Sequence, residues 1–217
     1  RGWWLYRGGI SLTSAVAAQT ESQRKGFFEV FGKESAVIPN VLTLEDDSSI
    51  DKEDYVLWVG NSTADKQPHL MVDLARALPD VRFRMIMATS PSRPDTSFIT
   101  DHLNELPNLE FAGEVPFSEI ARHYKKARLF VSTSLCEGFP NTFLQSWQYR
   151  TPVVSLNIDP DGVLVRHHLG RLCGNLDTMI RDVAELVSDD DLLKQLGDNA
   201  YRYAYEHHSI EASRMAW

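Results

Sequence analysis

The feature that most constrains the fold is an alternation of short apolar runs with longer helical patterns, beginning at residue 55. The apolar runs are typical of buried strands because they are nearly continuous and rich in β-branched residues; they cover residues 55–59, 82–87, 109–111, 129–132 and 153–156. A further short strand is predicted at 36–38. Strands that alternate with helices in this way are typical of βαβ units, so the sequence predicts an α/β protein with a parallel sheet.

The helical patterns lie between these runs and after the last of them. Residues 69–78 and 117–127 carry apolar side chains near helical spacing, and another helix is predicted to begin near Asn141. Two more are predicted at 178–188 and 189–206, the second entered through an acidic run that suits a helix N-terminus. We therefore expect a doubly wound sheet with helices on both faces.

The front of the chain differs from the rest. Residues 1–42 are expected to form at most one helix and one strand, and the polar stretch 46–54 is expected to be a surface connection. No period of self-similarity indicates a solenoid or propeller. We expect one compact unit at 43–217, preceded by an appended segment at 1–42.

Composition excludes several functional classes. A formal net charge of −8 over 217 residues argues against nucleic-acid binding, which requires clustered Lys and Arg. Two cysteines, Cys136 and Cys173, form no disulfide framework and favour a reducing compartment, so a cytoplasmic location is expected. The longest apolar stretch falls short of the roughly 20 residues that span a membrane, and residues 1–6 lack the apolar core of a signal peptide.

The segment with the residues best suited to binding or catalysis is 132–149, where a strand is followed by a Gly-Phe-Pro turn and an amphipathic helix. Such a loop opens onto the crevice at the carboxyl end of a parallel sheet, and the helix start offers free N–H groups to a diphosphate. An ordinary helix start, with Asn141 and Thr142 as capping residues, explains the same pattern equally well. Glu137 favours a ligand site, because a carboxylate just before this turn suits sugar hydroxyls better than a core.

A resemblance becomes specific at this point. The stretch EGFPNTFLQSWQYRTPVVSL (137–156) resembles the signature of glycosyltransferase family 4, the group 1 glycosyltransferases. Residues 18–42 are similar to the family's interdomain crossing, VLWVGN with Lys66 resembles its first donor-domain strand and phosphate loop, and residues 109–134 resemble its base-binding region. The resemblance implies the C-terminal, Rossmann-like half of a GT-B fold. Residues 1–42 would then be a remnant of the N-terminal acceptor domain together with the crossing.

The resemblance also implies roles for individual residues. Glu137 would hold the hydroxyls of the donor sugar, and Lys66 would stabilise the leaving diphosphate, so these two are the predicted catalytic residues. The other predicted donor-binding residues would let the backbone approach the ligand, border the base, shape the turn beneath the sugar, or contact the diphosphate or the ribose. They are Gly60, Asn61, Val115, Gly138, Phe139, Pro140, Asn141, Thr142, Phe143 and Gln145.

Two residues depart from the family pattern. Gln145 stands where the family has a second Glu, and Asn61 stands where it often has an Arg. A neutral amide in place of a carboxylate weakens hydrogen bonding by on the order of 1 kcal/mol. The main expectation is a retaining glycosyltransferase; the alternative is a non-catalytic module that recognises a nucleotide sugar, and a GT-B epimerase ranks last.

The expected partners are a nucleotide-sugar donor and an acceptor, which is a glycan, lipid or small molecule bound through an N-terminal domain. Neither a metal nor another cofactor is expected. Asp159-Pro160-Asp161 mimics an Asp-x-Asp metal motif, but it follows a strand and precedes Gly162, so we interpret Asp161 as a cap or turn residue. Because the acceptor domain is absent from the sequence, the chain alone is expected to bind a donor weakly and not to transfer its sugar.

Overall fold

The computed structural model describes residues 3–43, 51–89 and 105–215. Its strands are β1 (Ala17–Ala18), β2 (Ala36–Val37), β3 (Val56–Asn61), β4 (Phe83–Ala88), β5 (Leu109–Gly113), β6 (Leu129–Ser132), β7 (Val153–Ser155) and β8 (Gly170–Leu172). Its helices are α1 (Trp3–Leu12), α2 (Glu21–Phe31), α3 (Pro68–Ala77), α4 (Phe117–Lys126), α5 (Asn141–Trp147), α6 (Val163–Arg166), α7 (Leu176–Val187), α8 (Asp190–His208) and α9 (Ile210–Met215). Single 3₁₀ turns occur at Ala64–Lys66 and Pro160–Gly162.

Six of the strands form one sheet in the order β5-β4-β3-β6-β7-β8, and every neighbouring pair is parallel. The chain builds outward from β3 to β5, returns to the middle, and builds outward again from β6 to β8. This is the strand order of a doubly wound sheet, which confirms the predicted fold class. The direction of winding reverses between β3 and β6.

Alternate residues of the strands enter two separate cores. On β3, Val56 and Trp58 pack with helices α3 and α7, whereas Tyr55, just before the strand, and Leu57 pack with α4, α5 and α8. This period of two is a property of the extended backbone. Each fully buried large side chain contributes about 1.5–3 kcal/mol. Both sheet faces are therefore covered, as the continuous apolar strands predicted.

The N-terminal segment holds more structure than expected. Two helices, α1 and α2, and two paired strands, β1 and β2, replace the single helix and strand predicted for residues 1–42. Helix α2 begins after Thr20, whose Oγ1 accepts from Gln23 N at 3.0 Å, and ends at Gly32, where φ is +64°. These are ordinary start and stop signals of a helix. The prediction of one helix and one strand was wrong because α1 and β1 are present as well.

The end of the chain returns to this segment. Leu42 N donates to His208 O at 2.8 Å, and His208 Nδ1 lies 2.8 Å from Asn40 O. Helix α8 therefore closes against residues 40–42, and the short helix α9 follows it. Residues 51–54 of the predicted surface connection have no helix or strand, and 46–50 lie outside the described residues. Within the described ranges, no helix has the length and apolar character to cross a membrane.

Candidate functional site

The point where the winding reverses places two loops side by side. The loop after β3 carries the 3₁₀ turn Ala64–Lys66, and the loop after β6 carries Glu137. In doubly wound sheets, the crevice at such a reversal is the usual place for a ligand, because the flanking helices diverge there. The predicted donor residues on these two loops accordingly meet at one edge of the sheet.

Lys66 and Glu137 form an ion pair across this crevice through Lys66 Nζ and Glu137 Oε1. The two residues are 71 positions apart in sequence, so their contact is a product of the strand order. Their side chains are 23% and 20% exposed, which leaves both within reach of a ligand from solvent. The structure thus brings together the two residues that were predicted to be catalytic.

A buried hydrogen-bond relay fixes the two loops to each other. The Trp58 Nε1–H donates to Thr133 Oγ1 at 2.9 Å, and the Thr133 hydroxyl donates to Lys66 O at 2.6 Å. A backbone bond of 2.8 Å from Leu135 N to Asp65 O adds a second tie. The position of the Lys66 backbone is therefore determined from the core of the sheet.

The turn after Glu137 is anchored by its aromatic residues. Phe139 is 7% exposed and packs edge-to-face on Trp147, with ring centroids 6.1 Å apart, and Phe143 is fully buried. Pro140 is buried and precedes α5, and Phe143 N donates to Pro140 O at 3.1 Å. The side chains of this turn thus belong to the core, and any contact they support with a ligand is made by the backbone.

Sequence reasoning did not identify two amide residues, Gln19 and Asn40, that hold this turn. Gln19 Oε1 accepts from Phe139 N at 3.2 Å, and Gln19 Nε2 donates to Asn40 Oδ1 at 2.8 Å. Asn40 Nδ2 in turn donates to Phe139 O at 3.1 Å and to Asn141 Oδ1 at 2.9 Å. The predicted interdomain crossing therefore touches the turn beside Glu137, and the amide-rich composition of that crossing was the available signal.

The remaining predicted contacts lie on β3, in the loop after β5, and in the turn and helix after β6. A Cβ at Gly60 would lie 2.6 Å from Trp58 Cη2, so this glycine makes room for the indole ring. Asn61 Oδ1 accepts from Thr63 N at 3.1 Å and from the Thr63 hydroxyl at 2.5 Å. Gly138 in the turn, Thr142 and Gln145 on α5, and Val115 are half-buried. Their contacts with a donor stay predictions.

The Asp-x-Asp pair caps two helix starts. Asp159 Oδ1 accepts from Leu164 N at 2.7 Å, in the first turn of α6. Asp161 accepts from the backbone N–H groups of Glu21 and Ser22, each at 2.8 Å, at the start of α2. Burial works against the Asp161 charge, but the bonds from Ser22 and Glu21 outweigh it, so the pKa of Asp161 is lowered. Both carboxylates thus have structural partners, and Asp161 joins α2 to the main sheet domain.

The family can be decided once this geometry is set beside known proteins. The family model described as glycosyl transferases group 1 matches residues 43–203. The chain belongs to this family. Among the curated relatives of the chain, a protein of Xenopus tropicalis named glycosyltransferase 1 domain-containing protein 1 is 24% identical over 120 residues, which cover 55% of this chain and 35% of that protein. The chain spans less than half of the length of the curated relatives it matches.

Solved structures show the same fold. A mutant of TarM from S. aureus, crystallised with fondaparinux, α-GlcNAc-glycerol and UDP, superposes with a TM-score of 0.84 at 19% identity, over 99% of this chain and 45% of that one. HepE from Anabaena in complex with UDP superposes with a TM-score of 0.79 at 16% identity, over 94% of this chain and 62% of that one. The predicted C-terminal half of a GT-B fold is thereby confirmed.

Proposed function

We propose that the crevice between β3 and β6 binds a nucleotide-diphospho-sugar, and that the protein containing this chain transfers the sugar to an acceptor with retention of configuration. The observation that carries the proposal is the Lys66–Glu137 ion pair across the crevice. A diphospho-sugar requires a cation for its phosphates next to an acceptor group for its hydroxyls. These two side chains supply both at one place.

Each member of the pair has one task. Lys66 donates hydrogen bonds to the diphosphate and stabilises the negative charge that develops there when the bond from the anomeric carbon to the phosphate oxygen breaks. Glu137 accepts hydrogen bonds from the sugar hydroxyls and holds the ring in place. In the free chain the two side chains neutralise each other, so the donor must separate them when it binds. No metal ion is required by this scheme.

Two similar proteins support a uridine nucleotide as the first ligand to test. The TarM and HepE structures each contain UDP, and both superpose on nearly the whole of this chain. The acceptor, a glycan, lipid or small molecule, would bind in the part of the protein that faces this crevice. Since the chain spans under half of its curated relatives, transfer belongs to the longer protein.

Calorimetric titration of the chain with UDP-, GDP- and ADP-sugars tests the donor proposal. We expect one base to be preferred, and we expect Lys66→Met to weaken that donor by about 10- to 150-fold, the effect of losing a charge-assisted hydrogen bond. Arg202→Gln, which removes an exposed cation from α8, is the matched control and should change nothing. The absence of binding to all three donors would refute the proposal.

One observation favours a second candidate, a module that recognises a nucleotide sugar without transferring it. The Asn61 side chain is bonded into its own loop through Thr63, and it contributes no charge where the family often has an Arg. The two candidates differ in turnover. Slow hydrolysis of the bound donor by the full-length protein, followed by release of the nucleoside diphosphate, supports transfer, whereas tight binding with no release supports recognition alone.

A further inference from the structure

A second cavity lies at the opposite edge of the sheet. Its volume is about 480 Å³, within the range of sites for small molecules. Lys52, Arg128 and Arg150 precede β3, β6 and β7, so the cavity is at the amino-terminal ends of the strands, away from the donor crevice. Helix α8 forms one wall of the cavity. The charged residues that line it are Lys52, Arg128, Arg150, Asp190, Lys194 and Asp198.

The two carboxylates in the lining are occupied by the two arginines. Arg128 pairs with Asp190, and also with Asp54 at 2.6 Å, while Arg150 pairs with Asp198 at 2.6 Å. Lys194 is exposed and forms no ion pair with any other residue in the described part of the chain. A chain with a formal net charge of −8 thus has a local surplus of positive charge at this cavity.

Lys52 also has no carboxylate partner among the described residues, and it is less exposed than Lys194. Its Nζ donates to Tyr149 O and to Thr151 Oγ1, each at 2.7 Å, and both acceptors are neutral. Burial, followed by the nearby charge of Arg150, lowers the pKa of Lys52 to about 7. A buried ammonium without a carboxylate is unfavourable, so an anion that enters the cavity gains from neutralising it.

The cavity is also held rigid. The Arg150 guanidinium lies 4.2 Å from the centroid of the Tyr201 ring, which fixes its orientation. Gly197 allows α8 to approach closely, since a Cβ there would lie 2.3 Å from Arg150 O. Arg150, and Lys52 through its two hydrogen bonds, are therefore positioned before any ligand arrives, which reduces the entropy lost on binding.

We propose that this cavity binds a tetrahedral dianion of the phosphate type, with Lys52 and Lys194 as its contacts and Arg150 as a fixed positive charge beside it. The anion is either a free ion or the phosphate group of a small metabolite, which present the same three or four oxygens. This site is independent of the donor crevice, and its occupation does not depend on the proposed transfer.

Binding of the anion should be linked to protonation. A bound dianion favours the charged form of Lys52, so the chain takes up protons when the site fills near neutral pH. Sulfate is the cleanest probe, since it remains a dianion over this range whereas phosphate itself titrates. Calorimetry in two buffers of different ionisation enthalpy, at low ionic strength, measures the uptake. We expect between zero and one proton per site, decreasing as the pH is lowered below 7.

Titrations with inorganic phosphate and glycerol phosphate distinguish the source of the anion. Tighter binding of the ester supports a metabolite, and tighter binding of the inorganic ion supports free phosphate. Lys52→Met should weaken sulfate by at least about tenfold and abolish the proton uptake. Lys194→Gln, which leaves the buried lysine in place, should weaken it by about threefold, in the range of an exposed charge pair.

Two control variants make the result specific. Arg202→Gln removes an exposed charge from the same helix as Lys194 but outside the cavity, and should leave sulfate binding unchanged. Lys25→Gln, which removes an exposed charge from α2 outside the cavity, should also leave it unchanged. The proposal is overturned if sulfate does not bind, or if both Lys52→Met and Lys194→Gln bind it normally.

Discussion

Thr133 links the core to the ion pair with a single hydroxyl group. It accepts from the Trp58 indole and donates to the carbonyl of Lys66, and its side chain is fully buried. Thr133→Val removes the hydroxyl at nearly constant volume and leaves the indole N–H without its partner. We expect a loss of about 1–3 kcal/mol in the free energy of unfolding, measured by urea denaturation.

Thr133→Ser is the matched control, because it keeps the hydroxyl and removes only a methyl group. We expect the serine variant to be clearly more stable than the valine variant, and to retain more affinity for the nucleotide. Equal stability of the two would show that the relay contributes nothing.

At the residue scale the sequence indicates candidate residues but not their contacts. Lys66 and Glu137 could be selected as candidates because the motifs around them resemble those of a known family in their expected order. Their ion pair could not be predicted from either motif alone, since it requires β3 and β6 to be neighbours. The bonds from Gln19 and Asn40 to Phe139 were missed for the same reason, as they join residues about 100 positions apart or more.

Helix α8 depends on one glycine for its position. A Cβ at Gly197 would meet the carbonyl of Arg150 at 2.3 Å, and that carbonyl belongs to the backbone, which cannot turn aside. We predict that Gly197→Ala destabilises the chain by about 1–3 kcal/mol despite the better helix propensity of alanine. Thermal or urea unfolding measures this.

Gly26→Ala in α2 provides the comparison. It is also a helical glycine, but a Cβ there has nothing within 4 Å. This substitution should stabilise the chain by about 0.5–1 kcal/mol. If both variants changed stability in the same direction, the close approach of α8 to Arg150 would not be the cause.

The strands differ in how clearly the local sequence marks them. The bounds of β3, β4, β6 and β7 were predicted to within two residues, because strands buried on both faces are nearly continuous apolar runs. Strand β8 was not predicted, since it has only three residues and its central one, Arg171, pairs with Asp182 and Glu185 of α7. Its place in the sheet is set by these tertiary contacts and by β7.

At the scale of the whole molecule, His208 joins the last long helix to the N-terminal segment. Its ring packs 4.7 Å from the Phe139 ring, and its Nδ1 lies 2.8 Å from Asn40 O. Burial lowers the pKa of His208, and this effect is larger than the opposing effect of the hydrogen bond with Asn40 O. The histidine is therefore held neutral in the folded chain at neutral pH.

This depressed pKa predicts a loss of stability in acid. The unfolded chain, with a histidine pKa near 6.5, binds the proton more readily than the folded one. Stability due to this group is thus present above about pH 6.5 and lost as the pH falls through the folded pKa. Urea unfolding at about pH 7.5 and pH 5.5 should show a smaller decrease in His208→Gln than in the unmodified chain.

The exposed His69 provides the control for this measurement. His69→Gln should keep the full pH dependence, because this side chain lies on the surface of α3. A pH dependence that His208→Gln leaves unaltered would contradict the role given to His208.

Lys66 is proposed to hold the diphosphate and Glu137 the sugar, and each neutralises the other in the free chain. The dissociation constants of the preferred nucleotide sugar and of its nucleoside diphosphate, measured for Lys66→Met and Glu137→Gln, check this division of roles. Lys66→Met should weaken both ligands. Glu137→Gln frees the lysine, so it should leave the nucleoside diphosphate bound at least as tightly while the sugar no longer adds affinity. If Glu137→Gln weakened both ligands equally, the division of roles would be wrong.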